Sequence, residues 1–259
     1  MNKGLNENGN NVAFFDSGIG GLNLLYECAV RAPEFQYCYI SDNSNVPYGN
    51  RSADEICSMT FNALKGLEKL NPSALVIACN TVTADCIAKM RERFCFPVVG
   101  IQPAIKQAAE VGGTCLAIAT EATVSSLSFQ NLASRFPELK LIIHASKELA
   151  AFVEENIFNL PESLPSGLLP DVKVDSVVLG CTHYVYVKRQ IENYYKCKVF
   201  DGIEGTARNF ARIVGMSDHD YPPIGTDDHF NKNKLKITFV GQNRQKNELV
   251  FEKILHNKL

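Results

Sequence analysis

Several features that would place the chain in a common protein class are missing from its 259 residues. Lysine and arginine form no long run and the formal net charge is −2, so no basic face is offered to a nucleic acid. No apolar run is long enough to cross a membrane. The polar segment 1–11 lacks the apolar core of a signal peptide. We therefore expect a cytoplasmic protein that binds neither nucleic acid nor membrane.

The nine cysteines lack the spacings of a structural framework. Their number is odd, no Cys-x-x-Cys pair occurs, and the chain is longer than most disulfide-rich secreted domains. Cys181-Thr182-His183 contains the one close Cys/His pair, and a zinc site needs a second. We expect reduced thiols, and for seven of them the role of small buried apolar residues. Those seven are Cys28, Cys38, Cys57, Cys86, Cys95, Cys115 and Cys197.

What the chain does have is a regular alternation of short apolar runs with segments of helical periodicity. The apolar runs predict strands at 12–15, 36–41, 74–78, 97–101, 115–119, 139–144, 177–180, 197–200 and 235–240. Helices are predicted between them, and the pattern restarts near residue 115. This order is typical of an α/β fold with two similar Rossmann-like domains, each a parallel sheet flanked by helices. The active site is then expected in the cleft between them.

The restart also predicts the domain boundaries. Residues 12–101 and 216–259 form the first α/β domain, because the last strand and helix can return to it, and residues 102–215 form the second. Asp201-Gly202 ends a strand as Asp16-Ser17-Gly18 does, which supports two related halves. The polar segment 216–234 is predicted to be an exposed loop.

Two cysteines stand in matched settings. Cys79 follows the apolar run 74–78 and begins Cys-Asn-Thr, and Cys181 follows the run 177–180 and begins Cys-Thr-His. Both are expected at the carboxyl ends of parallel strands, where ligands bind in such sheets. A helix start lowers the pKa of a thiol, which makes it a usable base. Two thiols in one cleft predict a reaction that takes a proton from one face of a substrate and returns one to the other.

Other segments at strand ends allow two interpretations each. The turn Asp16-Ser17-Gly18-Ile19-Gly20-Gly21 offers backbone N–H groups to an anion, or its aspartate simply caps the next helix. Its spacing differs from the dinucleotide-binding fingerprint. The segment Val46-Pro47-Tyr48-Gly49 either lines a pocket with its exposed backbone or forms an ordinary turn. Glu154, beside Glu155 on a predicted helix, has the pattern of a solvated charge.

Together these segments resemble the glutamate racemase family, within the aspartate/glutamate racemase superfamily. The matches occur in the family's order between residues 12 and 202, at 16–22, 46–49, 78–81, 120–124 and 179–184. The resemblance implies a cofactor-independent enzyme that racemises L-glutamate to D-glutamate by a two-thiol mechanism and supplies D-glutamate for peptidoglycan synthesis. The small-molecule substrate is then glutamate, and we expect a homodimer.

The same resemblance implies a role for each matching residue. Cys79 acts on the D-enantiomer with help from Asp16, and Cys181 acts on the L-enantiomer with help from His183. Glu154 matches a further acidic position near the second thiol. Positions that bind the substrate are matched by Cys79, Asp16, Cys181 and His183. They are also matched by Ser17, Pro47, Tyr48, Gly49, Asn80, Thr81, Thr120, Thr123 and Thr182.

Departures from the family's pattern leave other interpretations open. Ser146-Lys147 replaces the usual Cys-Pro, which weakens the alignment leading to Glu154, and Val185 replaces a proline after Cys-Thr-His-Tyr. An aspartate or hydantoin racemase would use the same thiols with another side-chain pocket, although His183 favours glutamate. The alternatives from other classes are a regulatory binding protein on the same fold, with a partner such as DNA gyrase, and a metal- or redox-sensing protein.

Overall fold

The computed structural model describes residues 10–216 and 235–256, which form two parallel sheets. The first sheet contains β1 (Asn11–Asp16), β2 (Gln36–Ser41), β3 (Ala74–Ile77), β4 (Val98–Gly100) and β9 (Lys236–Val240). The second contains β5 (Thr114–Ala119), β6 (Lys140–Ala145), β7 (Ser176–Gly180) and β8 (Lys198–Phe200). Every pairing between these strands is parallel, and the predicted α/β fold is confirmed.

Helices fill the connections between the strands. They are α1 (Leu22–Arg31), α2 (Ala53–Ala63), α3 (Asn80–Arg93), α4 (Ile105–Val111), α5 (Glu121–Ser125), α6 (Leu127–Ser134), α7 (Leu149–Asn156), α8 (Lys188–Tyr195), α9 (Ile203–Ile213) and α10 (Arg244–Leu255). The single helix predicted over 52–70 is shorter than expected, because Gly66 takes a φ of +86° and a separate 3₁₀ turn follows it. None of the helices in the described ranges has the length and apolar character needed to span a bilayer.

The two sheets repeat one strand order. The first runs β4-β3-β1-β2-β9 and the second β8-β7-β5-β6, so β3 corresponds to β7 and β1 to β5. Cys79 and Cys181 therefore follow corresponding strands. Asp201-Gly202 ends a strand, as Asp16-Ser17-Gly18 does, but the two segments are not in corresponding places, because Asp201 follows the edge strand β8, whose counterpart is β4. Thr120, directly after β5, occupies the place that corresponds to the turn after β1.

The last described strand and helix return to the first sheet, as predicted. β9 pairs with β2 along the register from Gln36–Lys236 to Ile40–Val240, and Phe251 of α10 packs on Phe239. Phe210 of α9 also packs on this half, against Phe14, although α9 follows the last strand of the second sheet. The domain boundary near residue 215 stays a prediction, and the predicted loop lies outside the described residues from 217 onwards.

One pair of cysteines contradicts the expectation that all nine thiols are reduced. Cys57 on α2 and Cys86 on α3 form a disulfide with their Cα atoms 5.5 Å apart, and the other seven cysteines are free. The two residues face each other because α2 and α3 pack side by side in one apolar cluster. The bond ties α2 to the helix that begins directly after Cys79.

The disulfide determines two quantities that can be measured: the number of free thiols and the free energy of unfolding of the protein. Closing a loop between positions separated by 29 residues stabilises a fold by roughly 3 kcal/mol, chiefly by restricting the unfolded chain. We expect Cys57→Ser to lower the free energy of unfolding in urea by about that amount, and Cys95→Ser, at an exposed free cysteine, to leave it unchanged. Denatured, unreduced protein should titrate as seven thiols. Nine thiols in freshly purified protein would contradict the bond.

Candidate active site

The two matched cysteines lie at the carboxyl ends of β3 and β7, and both are buried. The exposed fraction is 5% for Cys79 and 8% for Cys181. The charge of Cys181 contributes to the pKa of Cys79, so the two sulfur atoms are within electrostatic reach of each other. The structure thus brings together two thiols that are far apart in the chain, at the edge of the sheets where ligands bind in parallel α/β folds.

Cys79 sits at the N-terminal cap of α3, and the expectation that this position lowers its pKa is wrong. Its sulfur contacts the Ser17 hydroxyl at 3.7 Å and accepts a hydrogen bond from the Val82 amide. Burial, followed by the charge of Asp16, raises the pKa of Cys79 to about 12. One amide donor does not offset the lost hydration of a thiolate. In the unliganded protein Cys79 is therefore a thiol at neutral pH.

Asp16 ends β1 and links the two halves across the site. Its Oδ1 accepts a hydrogen bond from the Gly18 amide at 2.8 Å, and its Oδ2 accepts one from the Thr182 hydroxyl at 3.2 Å. Burial raises the pKa of this carboxyl. The alternative role as a helix cap does not hold, because α1 begins after Gly21 without a side-chain cap.

Cys181 begins a chain of polar contacts. Its sulfur lies 3.9 Å from His183 Nδ1, and His183 Nε2 lies 2.8 Å from Glu154 Oε2. The other carboxylate oxygen, Oε1, accepts a hydrogen bond from Lys246 Nζ at 2.9 Å. Glu154 is only 7% exposed, so its interpretation as a solvated charge is wrong: α7 turns it inward and leaves Glu155 outside.

These contacts decide the charge of the buried pair. Burial alone favours the neutral form of each group. For Glu154 the hydrogen bonds and charges of His183 and Lys246 outweigh burial and lower the pKa to about 2. For His183 the contacts with Cys181 and Glu154 outweigh burial and raise the pKa well above its usual range. The pair is therefore a carboxylate and an imidazolium.

Ser146 supports this arrangement although it departs from the family's usual residue. Its hydroxyl accepts a hydrogen bond from the amide of Leu149, the first residue of α7, at 3.2 Å. Its carbonyl accepts one from the Tyr184 hydroxyl at 3.4 Å. Tyr184 directly follows His183, so Ser146 fixes the helix that carries Glu154 to the turn that carries its partner.

Small polar side chains cluster at the start of α3, directly after Cys79 in the chain, and at the start of α5. The hydroxyls of Thr81, Thr120 and Thr123 form a triangle with oxygen–oxygen distances of 2.9, 2.9 and 3.4 Å. Asn80 is buried, and its Nδ2 has no hydrogen-bond partner among the residues that the structure describes. A buried donor without a partner costs free energy unless a ligand satisfies it. These groups are suited to holding a carboxylate.

The turn Val46-Pro47-Tyr48-Gly49 packs against the second half and is more than a surface turn. The Tyr48 hydroxyl is buried and donates a hydrogen bond to Asp42 Oδ2 at 2.6 Å. Gly49 lies so close to Thr120 that an added Cβ would come within 2.7 Å of Thr120 Cγ2. Pro47, joined to Val46 by a cis peptide bond, directly precedes the 3₁₀ turn Tyr48–Asn50.

Some residues of the site were not predicted from the sequence. Lys246 belongs to no motif and lies far along the chain from every other site residue. Tyr39 and Tyr186 donate hydrogen bonds of 2.8 Å to the carbonyls of Gly18 and Ile19, which shapes the turn after β1. For Tyr186, its nearness to Cys181 in the sequence is the one available signal.

Comparison with known proteins identifies similar chains. The sequence profile described as Asp/Glu/Hydantoin racemase matches residues 24–209. The glutamate racemase of Clostridium acetobutylicum is 35% identical over 238 residues, which cover 88% of this chain and 91% of that protein. The structure of Escherichia coli glutamate racemase in complex with L-glutamate and the activator UDP-MurNAc-Ala superposes with a TM-score of 0.76 at 26% identity, covering 96% of this chain and 94% of that one. Glutamate racemase isoform RacE1 from Bacillus anthracis gives a TM-score of 0.76 at 29% identity, with coverages of 95% and 93%.

The raised pKa of Cys79 determines how fast it should react with iodoacetamide, because the thiolate is the form that attacks this reagent and displaces its iodide. For a pKa of about 12, the thiolate fraction rises about tenfold per pH unit below that value. We expect the alkylation rate of the Cys79 peptide, followed by mass spectrometry, to rise without a plateau from neutral pH to about pH 10. The peptide of the exposed Cys95, alkylated in the same sample, reports loss of reagent. A plateau below about pH 9 would contradict the effect of burial.

Proposed function

The chain belongs to the Asp/Glu/hydantoin racemase family and to the glutamate racemases within it, and from this premise we propose that it racemises glutamate through two thiols without a cofactor. Its class is that of an amino-acid racemase, an isomerase. The observation that carries the two-thiol proposal is the position of Cys79 and Cys181, buried together at the ends of corresponding strands. A pair of bases in one crevice suits proton removal from one face and return to the other.

We propose two proton transfers, one at each thiol. The Cys181 thiolate takes the α-proton of L-glutamate, and the electron pair of the broken C–H bond stays on the α-carbon. The Cys79 thiol then gives its proton to the opposite face. When D-glutamate departs, Cys79 is a thiolate and Cys181 is a thiol. This is the starting state for the reverse direction. The raised pKa of Cys79 supports its start as the thiol.

Stabilising the negative charge on the substrate is the main requirement, because the α-proton of an amino acid is far less acidic than a thiol. Asn80 Nδ2 and the hydroxyls of Thr81, Thr120 and Thr123 are the donors we assign to the substrate carboxylates. One preorganised donor typically contributes about 2.7–4 kcal/mol to a developing oxyanion. Burial of the two thiols excludes water and strengthens each of these interactions.

The two thiols have different assistants. We assign the imidazolium of His183 to Cys181, where its charge stabilises the thiolate that receives the proton of L-glutamate. We assign Asp16 to Cys79, on the side of the D-enantiomer, because its charge acts on that thiol. Glu154 holds the His183 ring through Nε2. Ser17, Pro47, Tyr48, Gly49 and Thr182 complete the proposed substrate site.

The product implied by this activity is D-glutamate, a component of bacterial peptidoglycan. We propose that the enzyme supplies it in the cytoplasm and acts as a homodimer. The direct test of activity is α-proton exchange in D₂O, followed by NMR with each enantiomer of glutamate and of aspartate and no added cofactor. Exchange with both glutamate enantiomers and loss of optical rotation is the expected result. Exchange with aspartate alone would indicate that aspartate, and not glutamate, is the substrate. The absence of exchange with all four amino acids would favour a binding protein.

Replacement of either thiol should stop racemisation. A serine hydroxyl is a far weaker acid than a thiol at the same position, so we expect Cys79→Ser and Cys181→Ser each to lower kcat by about 10³-fold or more. Cys95→Ser, at an exposed cysteine, is the matched control and should keep the wild-type rate. Wild-type rates in both active-site variants would refute the two-thiol mechanism.

Removal of the Asn80 Nδ2 donor, which has no partner within residues 10–216 and 235–256, should weaken both binding and turnover. We expect Asn80→Ala to lower kcat/KM for either enantiomer by about 10²-fold, the typical effect of losing one donor to a developing charge. Because racemisation has an equilibrium constant of one, the loss must be equal in the two directions. Asn62→Ala, at an exposed position of α2, is the control. An unchanged kcat/KM would remove Asn80 from the proposed site.

A further inference from the structure

The terminal helix α10 brings a lysine into the proposed active site. Lys246 Nζ donates to Glu154 Oε1 at 2.9 Å and to the Glu154 carbonyl oxygen at 2.6 Å. The lysine side chain is 27% exposed and the glutamate side chain 10%. The ammonium group is therefore largely removed from water and holds both the side chain and the backbone of one residue.

The two oxygens of the Glu154 carboxylate have separate partners. Oε2 accepts from His183 Nε2 at 2.8 Å and from the Ile19 amide at 3.2 Å, whereas Oε1 faces Lys246. Rotation of the carboxylate about its Cγ–Cδ bond would break both sets of contacts. Lys246 thereby fixes the plane of the carboxylate, and the carboxylate fixes the His183 ring with Nδ1 toward Cys181.

The position of Lys246 is determined by the first sheet. The neighbouring Asn247 is completely buried and donates a hydrogen bond of 2.6 Å to the Ser41 hydroxyl at the end of β2. Val250 and Phe251 anchor the next turn of α10 in the apolar core. Glu154, in contrast, belongs to α7 beside the second sheet. The lysine therefore reaches across from one half of the protein to the other.

We propose that Lys246 is a positioning residue for the proton transfers at Cys181: it orients Glu154, which in turn holds His183 against the thiol. This inference rests on the racemase function proposed above. Cys79 has a different set of contacts, with Ser17 and the Val82 amide, and none of them includes Glu154. Loss of Lys246 should therefore slow the transfer at one thiol only.

Isotope effects can detect such a one-sided change. The equilibrium constant of one forces kcat/KM to be equal for L- and D-glutamate in every variant, so the two rates alone cannot separate the thiols. With α-deuterated L-glutamate the labelled atom is removed by Cys181, and with α-deuterated D-glutamate by Cys79. A slower Cys181 step must raise the isotope effect on kcat/KM for the L-enantiomer and lower it toward one for the D-enantiomer.

The experiment compares Lys246→Met with the wild type in both directions. We expect kcat/KM to fall about tenfold, the effect of one lost hydrogen bond between charged groups, and the two isotope effects to move in opposite directions. Lys246→Arg, which keeps the charge, should restore most of the rate. Lys253→Met removes a lysine from the same helix and should change neither quantity. If Lys246→Met fails to fold, Lys246→Gln takes its place.

The possible outcomes separate this proposal from the racemase function. Isotope effects that stay unchanged or move in the same direction, in a folded variant with wild-type melting temperature, would overturn the role of Lys246. An inactive wild-type enzyme would refute the racemase function instead. In that case the ¹⁵N spectrum of His183 tests the contact: a shift in Lys246→Met supports the positioning role, and identical spectra would overturn it.

Discussion

The buried carboxylate of Glu154 is the constraint on which the rest of the site depends. An ionised carboxylate out of water costs several kcal/mol unless donors and opposite charges surround it. Its donors are the Ile19 amide, His183 and Lys246, from the turn after β1, the turn after β7 and α10. Because the three elements converge on one group, they fix each other. Gly18 belongs to the same constraint, since an added Cβ there would come within 2.6 Å of Glu154 Oε2.

A symmetric framework thus carries an asymmetric site. The sheets repeat one strand order and place each thiol after a corresponding strand. The next residues differ, because Cys79 caps the 14-residue helix α3 whereas Cys181 precedes the 3₁₀ turn Thr182–Val187. The tighter turn brings the His183 ring back to its own cysteine. One thiol consequently acquires an ion-paired imidazolium and the other lies near a carboxyl, which is a physical basis for treating the two faces of a substrate differently.

The sequence predicted the parallel α/β fold and the return of the last strand, because both follow from local apolar periodicity. It also placed the two thiols at strand ends, although it did not predict how burial would affect the Cys79 pKa. The helical pattern alone made Glu154 a solvated charge, because its neighbour Glu155 shares its chemistry, and only the family resemblance pointed to the site. Packing distinguishes the two residues. Lys246 and the Cys57–Cys86 bond depend on contacts between distant elements, for which one sequence carries no periodic signal.

The pairing of β9 with β2 also affects how the protein folds during its synthesis on the ribosome. The strands of the second sheet all lie between Thr114 and Phe200, so this sheet can assemble as soon as that stretch has emerged. The first sheet is complete only after its edge strand, Lys236–Val240, has been synthesised. Lys246, whose ammonium group donates to Glu154, follows later on α10. Long-range parallel pairing of this kind is slow to form. A nascent chain therefore holds both cysteines well before it can position them, which delays the onset of proton chemistry until α10 has been made.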